Sequence, residues 1–192
     1  MKTLIVYAHP NTQGHNHKVL EEVKSKLKES KQDCEVIDLY KLRYDPILHE
    51  DEHYTQGNRN ITKQNKEFQK KIKQAKKLIF IYPVWWNGMP AILKGFIDRV
   101  FTNNFAFTYK NKMPVGLLKG KKAVVFTTSG APKLFFKLME KDFGAKQLTK
   151  YTLKFCGIKS KYFVVGNATF FNDKQKRKIK KQVKNGLKYL HG

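Results

Sequence analysis

The sequence predicts an α/β fold built around a doubly wound, five-stranded parallel sheet with helices on both faces. Short apolar runs of strand length alternate with segments whose apolar residues follow helical spacing. Runs that are apolar at nearly every position are typical of strands covered on both faces. For this alternation we expect the strand order 2-1-3-4-5, with a ligand site at the carboxyl ends of the strands. The five predicted strands are residues 3–8, 34–39, 78–82, 122–128 and 162–165.

The length and composition of the chain are those of a single globular domain. Its 192 residues are 41% hydrophobic and 13% aromatic, which suits a single packed domain over residues 1–192. No apolar run approaches the roughly 18–20 residues of a membrane span, and the N-terminus lacks a signal peptide's apolar core. Cys34 and Cys156 lie far apart without metal-binding spacing, so we interpret them as buried small hydrophobes. These features predict a reduced, cytoplasmic protein with no membrane span.

The charge is unusual, because 39 Lys and Arg face 15 Asp and Glu, for a formal net charge of +24. Such an excess attracts polyanions, either nucleic acid or an anionic membrane surface. The lysines are nevertheless spread over many segments, without an arginine-rich tract or a glycine–aromatic RNA-binding pattern. We interpret the charge as a solvated lysine-rich surface that also attracts anionic small molecules, and we expect no nucleic-acid partner.

The loop after the first predicted strand has the residues of a phosphate site. Residues 9–16 are turn formers and hydrogen-bonding groups, and an amphipathic helix follows them. A helix N-terminus offers free N–H groups, Gly14 lets backbone approach an anion, and Asn16 with His15 or His17 adds donors. The loop is neither a Walker A motif nor Gly-x-Gly-x-x-Gly. An ordinary connection whose polar residues only cap the helix is an equal alternative.

The most distinctive stretch is residues 78–101, which read as strand, aromatic loop and helix. Pro83 breaks the strand, Trp85 and Trp86 follow, and Asn87-Gly88 is a strong turn signal. Two indoles at the carboxyl end of a parallel strand offer flat apolar area for an aromatic ring. Core packing of the indoles is the alternative, but the neighbouring Pro, Asn and Gly disfavour a buried helix or strand.

The remaining segments carry weaker signals. Residues 127–132, after the fourth strand, are small and hydroxyl-bearing, which suits a loop that sets backbone N–H groups against a carbonyl or anion. Residues 50–52 are consecutive acids without metal-binding spacing, so we expect a solvated loop there. We expect residues 103–116 to form a loop packed by its own aromatics, and residues 135–151 to be partly helical with a break at Gly144.

One ligand would use all three loops if it carried a phosphate, a flat ring and polar ring edges. FMN and FAD satisfy that description, whereas a nicotinamide dinucleotide as the only tight ligand fits worse without a Rossmann glycine pattern.

The motifs also appear in the order of a known family, the flavodoxin-like NAD(P)H:quinone oxidoreductases, which include DT-diaphorase and small bacterial flavin reductases. The chain resembles this family from residue 1 to about residue 170. The matching motifs are Ala8-His9-Pro10 with Asn16, the run from Tyr82 to Val100, Thr127-Thr128-Ser129-Gly130 and Phe155-Cys156-Gly157.

The resemblance implies a flavodoxin-like sheet that holds one FMN or FAD per chain. It implies that NADH or NADPH is the co-substrate and that a quinone or a related acceptor takes the electrons. Phe135 and Lys141 stand where some family members carry a tyrosine and a histidine, so no catalytic acid is carried over. The flavin-binding residues would be His9, Gly14, His15 and Asn16 at the phosphate, Pro83, Val84, Trp85, Trp86 and Asn87 along the ring, and Thr128, Ser129 and Gly130 at the pyrimidine end.

The resemblance also implies a homodimer whose active site is completed by the partner chain. Phe105 to Tyr109 and the helix from Ala91 are the candidate contacts, and filling of the monomer core by these aromatics is the alternative. A different function within the family is a flavin-binding regulatory subunit, as in relatives that sit on potassium-efflux systems. The sequence leaves open FMN against FAD, NADH against NADPH, and the physiological acceptor.

Overall fold

The computed structural model describes residues 2–53, 60–132, 134–135 and 143–192. Within these ranges the strands are β1 (Thr3–Tyr7), β2 (Cys34–Asp38), β3 (Lys77–Pro83), β4 (Phe107–Lys110), β5 (Met113–Gly116), β6 (Lys122–Thr128) and β7 (Lys159–Val165). The helices are α1 (His15–Glu29), α2 (Lys63–Gln74), α3 (Ala91–Val100), α4 (Phe143–Lys146) and α5 (Asp173–His191), with a 3₁₀ turn at Glu50–Glu52 and a π-helical segment at Gln147–Leu153.

Five of the strands form one parallel sheet in the order β2-β1-β3-β6-β7. This confirms the predicted order 2-1-3-4-5. Thr3 pairs with Cys34 on one side and with Lys77 on the other, so β1 lies between β2 and β3. The chain moves outward from β1 to β2 and then returns to β3, which places the switch point between β1 and β3.

The alternation of side chains along each strand divides the core into two layers. In β1, Leu4 and Val6 face one layer while Ile5 and Tyr7 face the other. The first layer also contains side chains of α2, α3 and the π-helical segment, and the second contains those of α1 and α5. Helices therefore cover both faces, as predicted.

The segment after α3 differs from the prediction of a loop. β4 and β5 form an antiparallel hairpin in which Lys110 pairs with Met113. Asn111 and Lys112 both have positive φ, 51° and 64°, as a two-residue type I′ turn requires. The hairpin was not predicted because Asn-Lys is not one of the strong Gly-containing signals for that turn.

Two further predicted boundaries are wrong. The expected break at Gly144 is absent, since Gly144 lies within α4 and the chain continues into the π-helical segment. β7 begins at Lys159, three residues before the predicted start, because an edge strand tolerates polar side chains that face solvent. Lys141 and the other residues from 136 to 142 lie outside the described ranges.

The acidic stretch before α2 is only partly solvated. Glu52 is 3% exposed, and its Oε2 lies 2.7 Å from Nε of Arg99, which is 5% exposed. Asp45 Oδ2 lies 3.0 Å from the same guanidinium. The expectation of a solvated loop is therefore wrong for Glu52, which anchors the long connection after β2 to helix α3. Across the described ranges, no three His, Cys, Asp or Glu side chains cluster so that they could hold a metal ion.

A close backbone approach strengthens the same junction. A Cβ added at Gly95, on α3, would lie 2.1 Å from the carbonyl oxygen of Pro46. Only glycine therefore lets the connection lie directly on the helix that follows the aromatic loop.

Candidate functional site

Three of the predicted loops lie together at the carboxyl edge of the sheet. The Val84 N–H donates to the Thr128 carbonyl at 2.8 Å, which joins the ends of β3 and β6. The Asn16 side-chain amide donates to Thr128 Oγ1 at 2.7 Å in a buried contact, so the start of α1 is tied to the end of β6. The fold thus brings together residues that are more than 100 positions apart in sequence.

The first loop is shaped by its own side chains. Asn11 Oδ1 accepts a hydrogen bond from the Gln13 N–H at 2.8 Å, and the Asn11 N–H donates to Nδ1 of His9 at 3.1 Å. Nδ1 of His9 also lies 3.1 Å from the Asn11 carbonyl oxygen, so it accepts from the Asn11 N–H in one neutral tautomer and donates to that carbonyl in the other. The His9 ring centroid lies 6.2 Å from that of Trp85, so the first two loops adjoin. In the tautomer whose Nδ1 accepts from Asn11, His9 offers its Nε2–H as a donor beside the aromatic loop.

The N-terminus of α1 is open. Gly14 occupies the cap position with φ of +87°, no side chain caps the helix, and the first turn contains no acid. By contrast, Asn172 caps α5 by accepting from the Gln175 N–H at 3.0 Å. The alternative that the loop's polar residues serve as side-chain caps is therefore wrong for α1. The first-turn N–H groups of α1 have no intrahelical acceptor and present the positive end of the helix dipole.

Among the residues that the structure describes, several buried polar atoms at this helix end have no hydrogen-bond partner. They include Nε2 of His15, Oδ1 of Asn16 and Oγ1 of Thr127. Burial lowers the pKa of His15, and its ring lies edge-on to Phe171 with centroids 5.1 Å apart. Because buried polar atoms are almost always satisfied in native proteins, unpartnered ones beside a free helix N-terminus are where a ligand's polar groups would fit.

The aromatic loop is a tight turn. Trp85 and Gly88 exchange backbone hydrogen bonds of 3.1 and 2.9 Å, and Trp86 and Asn87 between them have φ of 48° and 56°. These angles define a type I′ turn, which costs a bulky residue such as Trp86 about 1–2 kcal/mol. Trp85 is 42% exposed and Trp86 is 102% exposed. Core packing of the two indoles is therefore wrong.

Support for this turn comes from a segment that the sequence did not indicate. The buried Tyr82 hydroxyl donates to the carbonyl of Gly144 at 2.8 Å. A Cβ at Gly144 would lie 2.7 Å from Cγ1 of Val84 and 3.4 Å from the carbonyl carbon of Asn87. α4 therefore packs directly on the base of the turn. The single signal in the sequence is a glycine within a helical pattern, which by itself favours a break in the helix.

The third loop is bonded to a fourth that was also missed. The Ser129 N–H donates to the Val165 carbonyl at 3.1 Å, and the Ala168 N–H donates to the Ser129 carbonyl at 2.9 Å. Thr128 and Ser129 are buried, whereas Gly130 is exposed. The loop after β7 thus belongs to the same edge of the sheet, and it brings Phe171 to His15.

The cysteines lie outside this site. Cys156 is 2% exposed, and burial raises the pKa of its thiol to about 12. Burial also raises the pKa of Cys34, which is half-buried. Both are free thiols that stay protonated near neutral pH, as expected for packing groups.

The fold and this edge of the sheet define a flavodoxin-like protein. A family model described as "Flavodoxin-like fold" matches residues 1–190, and the chain belongs to that family.

Two relatives of the chain have names that describe oxidoreductases. An uncharacterised NAD(P)H oxidoreductase from Haemophilus influenzae is 31% identical over 184 residues, which is 92% of this chain and 89% of the relative. The NAD(P)H dehydrogenase [quinone] 1 of Cavia porcellus is 30% identical over 177 residues, covering 81% of this chain and 64% of the relative.

Solved structures share the architecture. Smu.1420 from Streptococcus mutans UA159 superposes with a TM-score of 0.84 at 34% identity, covering 96% of this chain and 97% of that one. An FMN-dependent NADH-azoreductase from Bacillus anthracis, solved with FMN, gives a TM-score of 0.82 at 23% identity with both chains fully covered. The latter likeness concerns the fold alone.

Proposed function

We propose that this protein is a flavin-dependent NAD(P)H oxidoreductase, in which FMN or FAD carries electrons from NAD(P)H to quinones or related acceptors. One observation carries the proposal: the buried hydrogen bond from Asn16 to Thr128 joins an uncapped helix end to the loops beside the exposed Trp85. The names of the relatives that are at least 30% identical support the same reaction class.

The first loop fits the phosphate of a flavin nucleotide. With Nδ1 accepting from the Asn11 N–H, His9 would donate from Nε2, and the N–H groups at the start of α1, after Gly14, would face the anion. The unpartnered Nε2 of His15 is a further donor or acceptor according to its tautomer, and the buried Asn16 holds the loop against Thr128. These groups bind and orient without any transfer of protons.

The second and third loops fit the ring. Trp85 and Trp86 offer apolar area, Pro83 and Val84 form the base of the turn, and Asn87 lies in the turn itself. Thr128, Ser129 and Gly130 would border the pyrimidine end. A bound flavin supplies two-electron chemistry, because it accepts a hydride from NAD(P)H and returns the electrons to an acceptor. The protein's part is to position the two rings in turn and to exclude water.

We also propose that the chain forms a homodimer through exposed aromatic side chains around a cavity, Tyr109 and Tyr151 among them, which we call the apolar rim. A cavity of about 540 Å³ opens between α3, the β4–β5 hairpin and the π-helical segment. Large apolar side chains at its margin are exposed, including Tyr109 at 58% and Tyr151 at 67%. Exposed aromatic groups around a concave surface are typical of subunit interfaces. Sedimentation equilibrium tests this, since a Tyr109→Glu, Tyr151→Glu variant should be monomeric.

The cellular setting and the domain count are proposals as well. Two free cysteines favour a reduced, cytoplasmic compartment. In the part of the chain that is described, no helix is long and apolar enough to cross a membrane. A family match over residues 1–190 supports one domain for the whole sequence.

The decisive experiment is to release the cofactor from native protein and identify it. The proposal expects a yellow protein whose visible absorption is bleached by NADPH or NADH without oxygen and restored by a quinone. A colourless protein that binds neither added FMN nor FAD would refute the cofactor assignment. Bound flavin that neither NADH nor NADPH reduces would refute the enzymatic function and favour a regulatory flavin-binding subunit.

A further inference from the structure

The outward face of α5 carries a continuous line of cations. Lys174, Arg177, Lys181, Lys184 and Lys188 follow one another at three- or four-residue intervals, and all five side chains are exposed. This spacing places them on one side of the helix over about 21 Å. Hereafter these five residues are called the α5 stripe.

The α5 stripe differs from the cations of the neighbouring helix α1. Asp173 is the single acid of α5; its ion pair is with Lys176, outside the stripe, and Arg177 of the stripe also attracts its carboxylate. Within the described ranges no stripe residue forms a salt bridge. The neighbouring α1, on the same face of the sheet, instead mixes lysines with acids and contains ion pairs between Lys24 and Glu21 and between Lys26 and Glu29. On this face of the sheet the positive potential is therefore higher along α5 than along α1.

A groove continues the positive surface toward the edge of the sheet. A cavity of about 700 Å³ lies between α5 and β7, and Lys161, Lys178 and Lys181 line it. Three ammonium groups around an opening of this size suit a small anionic group. An anionic headgroup could therefore enter beside the stripe.

Phe170 and Phe171, which together form the phenylalanine tip, lie just before the beginning of α5. Phe170 is 78% exposed and Phe171 is 43% exposed. Lys176 Nζ lies 5.8 Å from the centroid of the Phe171 ring, so a lysine of α5 outside the stripe contacts the tip. Exposed phenylalanines beside a line of lysines are the combination that binds a charged membrane interface, because the rings enter the boundary while the cations meet the headgroups.

We infer that the α5 stripe, with Phe170 at its end, docks this protein on an anionic lipid bilayer. The phenylalanine tip and the complementarity between the cations of the stripe and anionic headgroups favour a bilayer over nucleic acid. The stripe holds one arginine and four lysines, and no aromatic side chain lies between them to stack on a base. The surface lies on the opposite face of the sheet from α3, so dimerisation through the apolar rim would leave it free.

Docking has a consequence for the active site, and this consequence rests on the proposed function. Phe171 contacts His15 at the start of α1, so the bilayer would lie near the proposed phosphate loop. Quinones with apolar tails partition into membranes, and a docked enzyme would meet them there. The inference itself does not need the flavin, since the surface can be tested in protein that lacks activity.

The test is sedimentation of the whole protein with lipid vesicles. Vesicles of phosphatidylcholine alone are compared with vesicles of equal parts phosphatidylcholine and phosphatidylglycerol. Wild-type protein should bind the second and not the first, and raised salt should release it. The variant Arg177→Glu, Lys181→Glu, Lys184→Glu should bind anionic vesicles about 100-fold more weakly, since each cation near the surface contributes about fivefold.

A matched control separates the stripe from the net charge. Lys63, Lys66 and Lys70 are exposed on α2, on the opposite face, at similar helical spacing. Their triple change to Glu alters the net charge by the same amount and should change vesicle binding less than threefold. Equal loss in both triple variants would overturn the inference, because the attraction would then belong to the whole surface.

The phenylalanine tip separates a bilayer from nucleic acid. Phe170→Ser should weaken vesicle binding about tenfold, since burial of the ring is lost. The same variant should leave the affinity for mixed-sequence duplex DNA unchanged. Tight DNA binding that the α5 triple variant abolishes, with no sedimentation on anionic vesicles, would overturn the bilayer in favour of nucleic acid. A cooperative thermal unfolding transition shows that each variant is folded.

Discussion

Replacement of Gly144 by alanine should disturb the turn between Val84 and Gly88 without touching any ligand. The new Cβ would lie 2.7 and 2.9 Å from the two Val84 methyl groups, well inside contact distance. Overpacking of this kind costs about 1–3 kcal/mol, while alanine in place of glycine in a helix returns about 1 kcal/mol. We therefore expect the free energy of unfolding to fall by about 1 kcal/mol.

The same substitution should also weaken cofactor binding. Both Val84 methyl groups meet the new Cβ and a β-branched side chain turns little about χ1, so we expect the base of the turn, which carries Trp85 and Asn87, to move. A displacement of a few tenths of an ångström in a preorganised wall should lower FMN affinity about tenfold. Fluorescence titration of apoprotein with FMN measures this loss, and urea unfolding measures the stability.

A double-mutant cycle tests the stated cause. Val84→Ala removes both methyl groups that the new Cβ would meet, so Gly144→Ala in that background should be neutral or stabilising and should leave FMN affinity unchanged. The expected coupling free energy is about 1–2 kcal/mol. Additive effects of the two substitutions on stability and on FMN binding would refute the claim that Gly144 positions the turn.

Three other predictions follow from the structure. Gly95→Ala should lower the free energy of unfolding by about 3 kcal/mol or more in urea, because its Cβ would meet the Pro46 backbone; a loss below 1 kcal/mol would contradict this close approach. Arg99→Met should cost about 3–5 kcal/mol at neutral pH, since Glu52 would stay buried without a counter-charge; a Glu52→Gln change in the same background should recover part of the loss. Burial lowers the pKa of His15 from its ordinary 6.5, so the unfolded chain takes up that proton first and stability should fall as the pH drops below 6.5. Urea midpoints of His15→Gln should lack this component, and parallel pH curves for the two proteins would show that His15 contributes nothing.

Much of the fold could be predicted because its signals are local or follow from general topology. The apolar runs of the five sheet strands are continuous, and the strand order follows from how right-handed crossovers pack on a twisted sheet. The hairpin after α3 was missed because its turn lacks glycine. The burial of Glu52 was missed because its partner, Arg99, is 47 residues away.

The site was predicted only in outline. The sequence marked the loops at His9, Trp85 and Thr128, since each follows an apolar run and carries unusual residues. It did not indicate that Gly144 supports the aromatic turn, or that the loop after β7 bonds to Ser129. These contacts depend on which segments the sheet order brings to the same edge.

The sequence by itself determined the class of fold, the three loops and the family resemblance, because these depend on periodicity and on short motifs. Only the tertiary structure decided that α1 is uncapped, that Trp86 stands fully in solvent, and that Asn16 bonds to Thr128. The physical reason is that burial and hydrogen-bond partners are properties of packed surfaces. Asn16 and Thr128, which are 112 positions apart, meet because the sheet order brings the start of α1 and the end of β6 to the same edge.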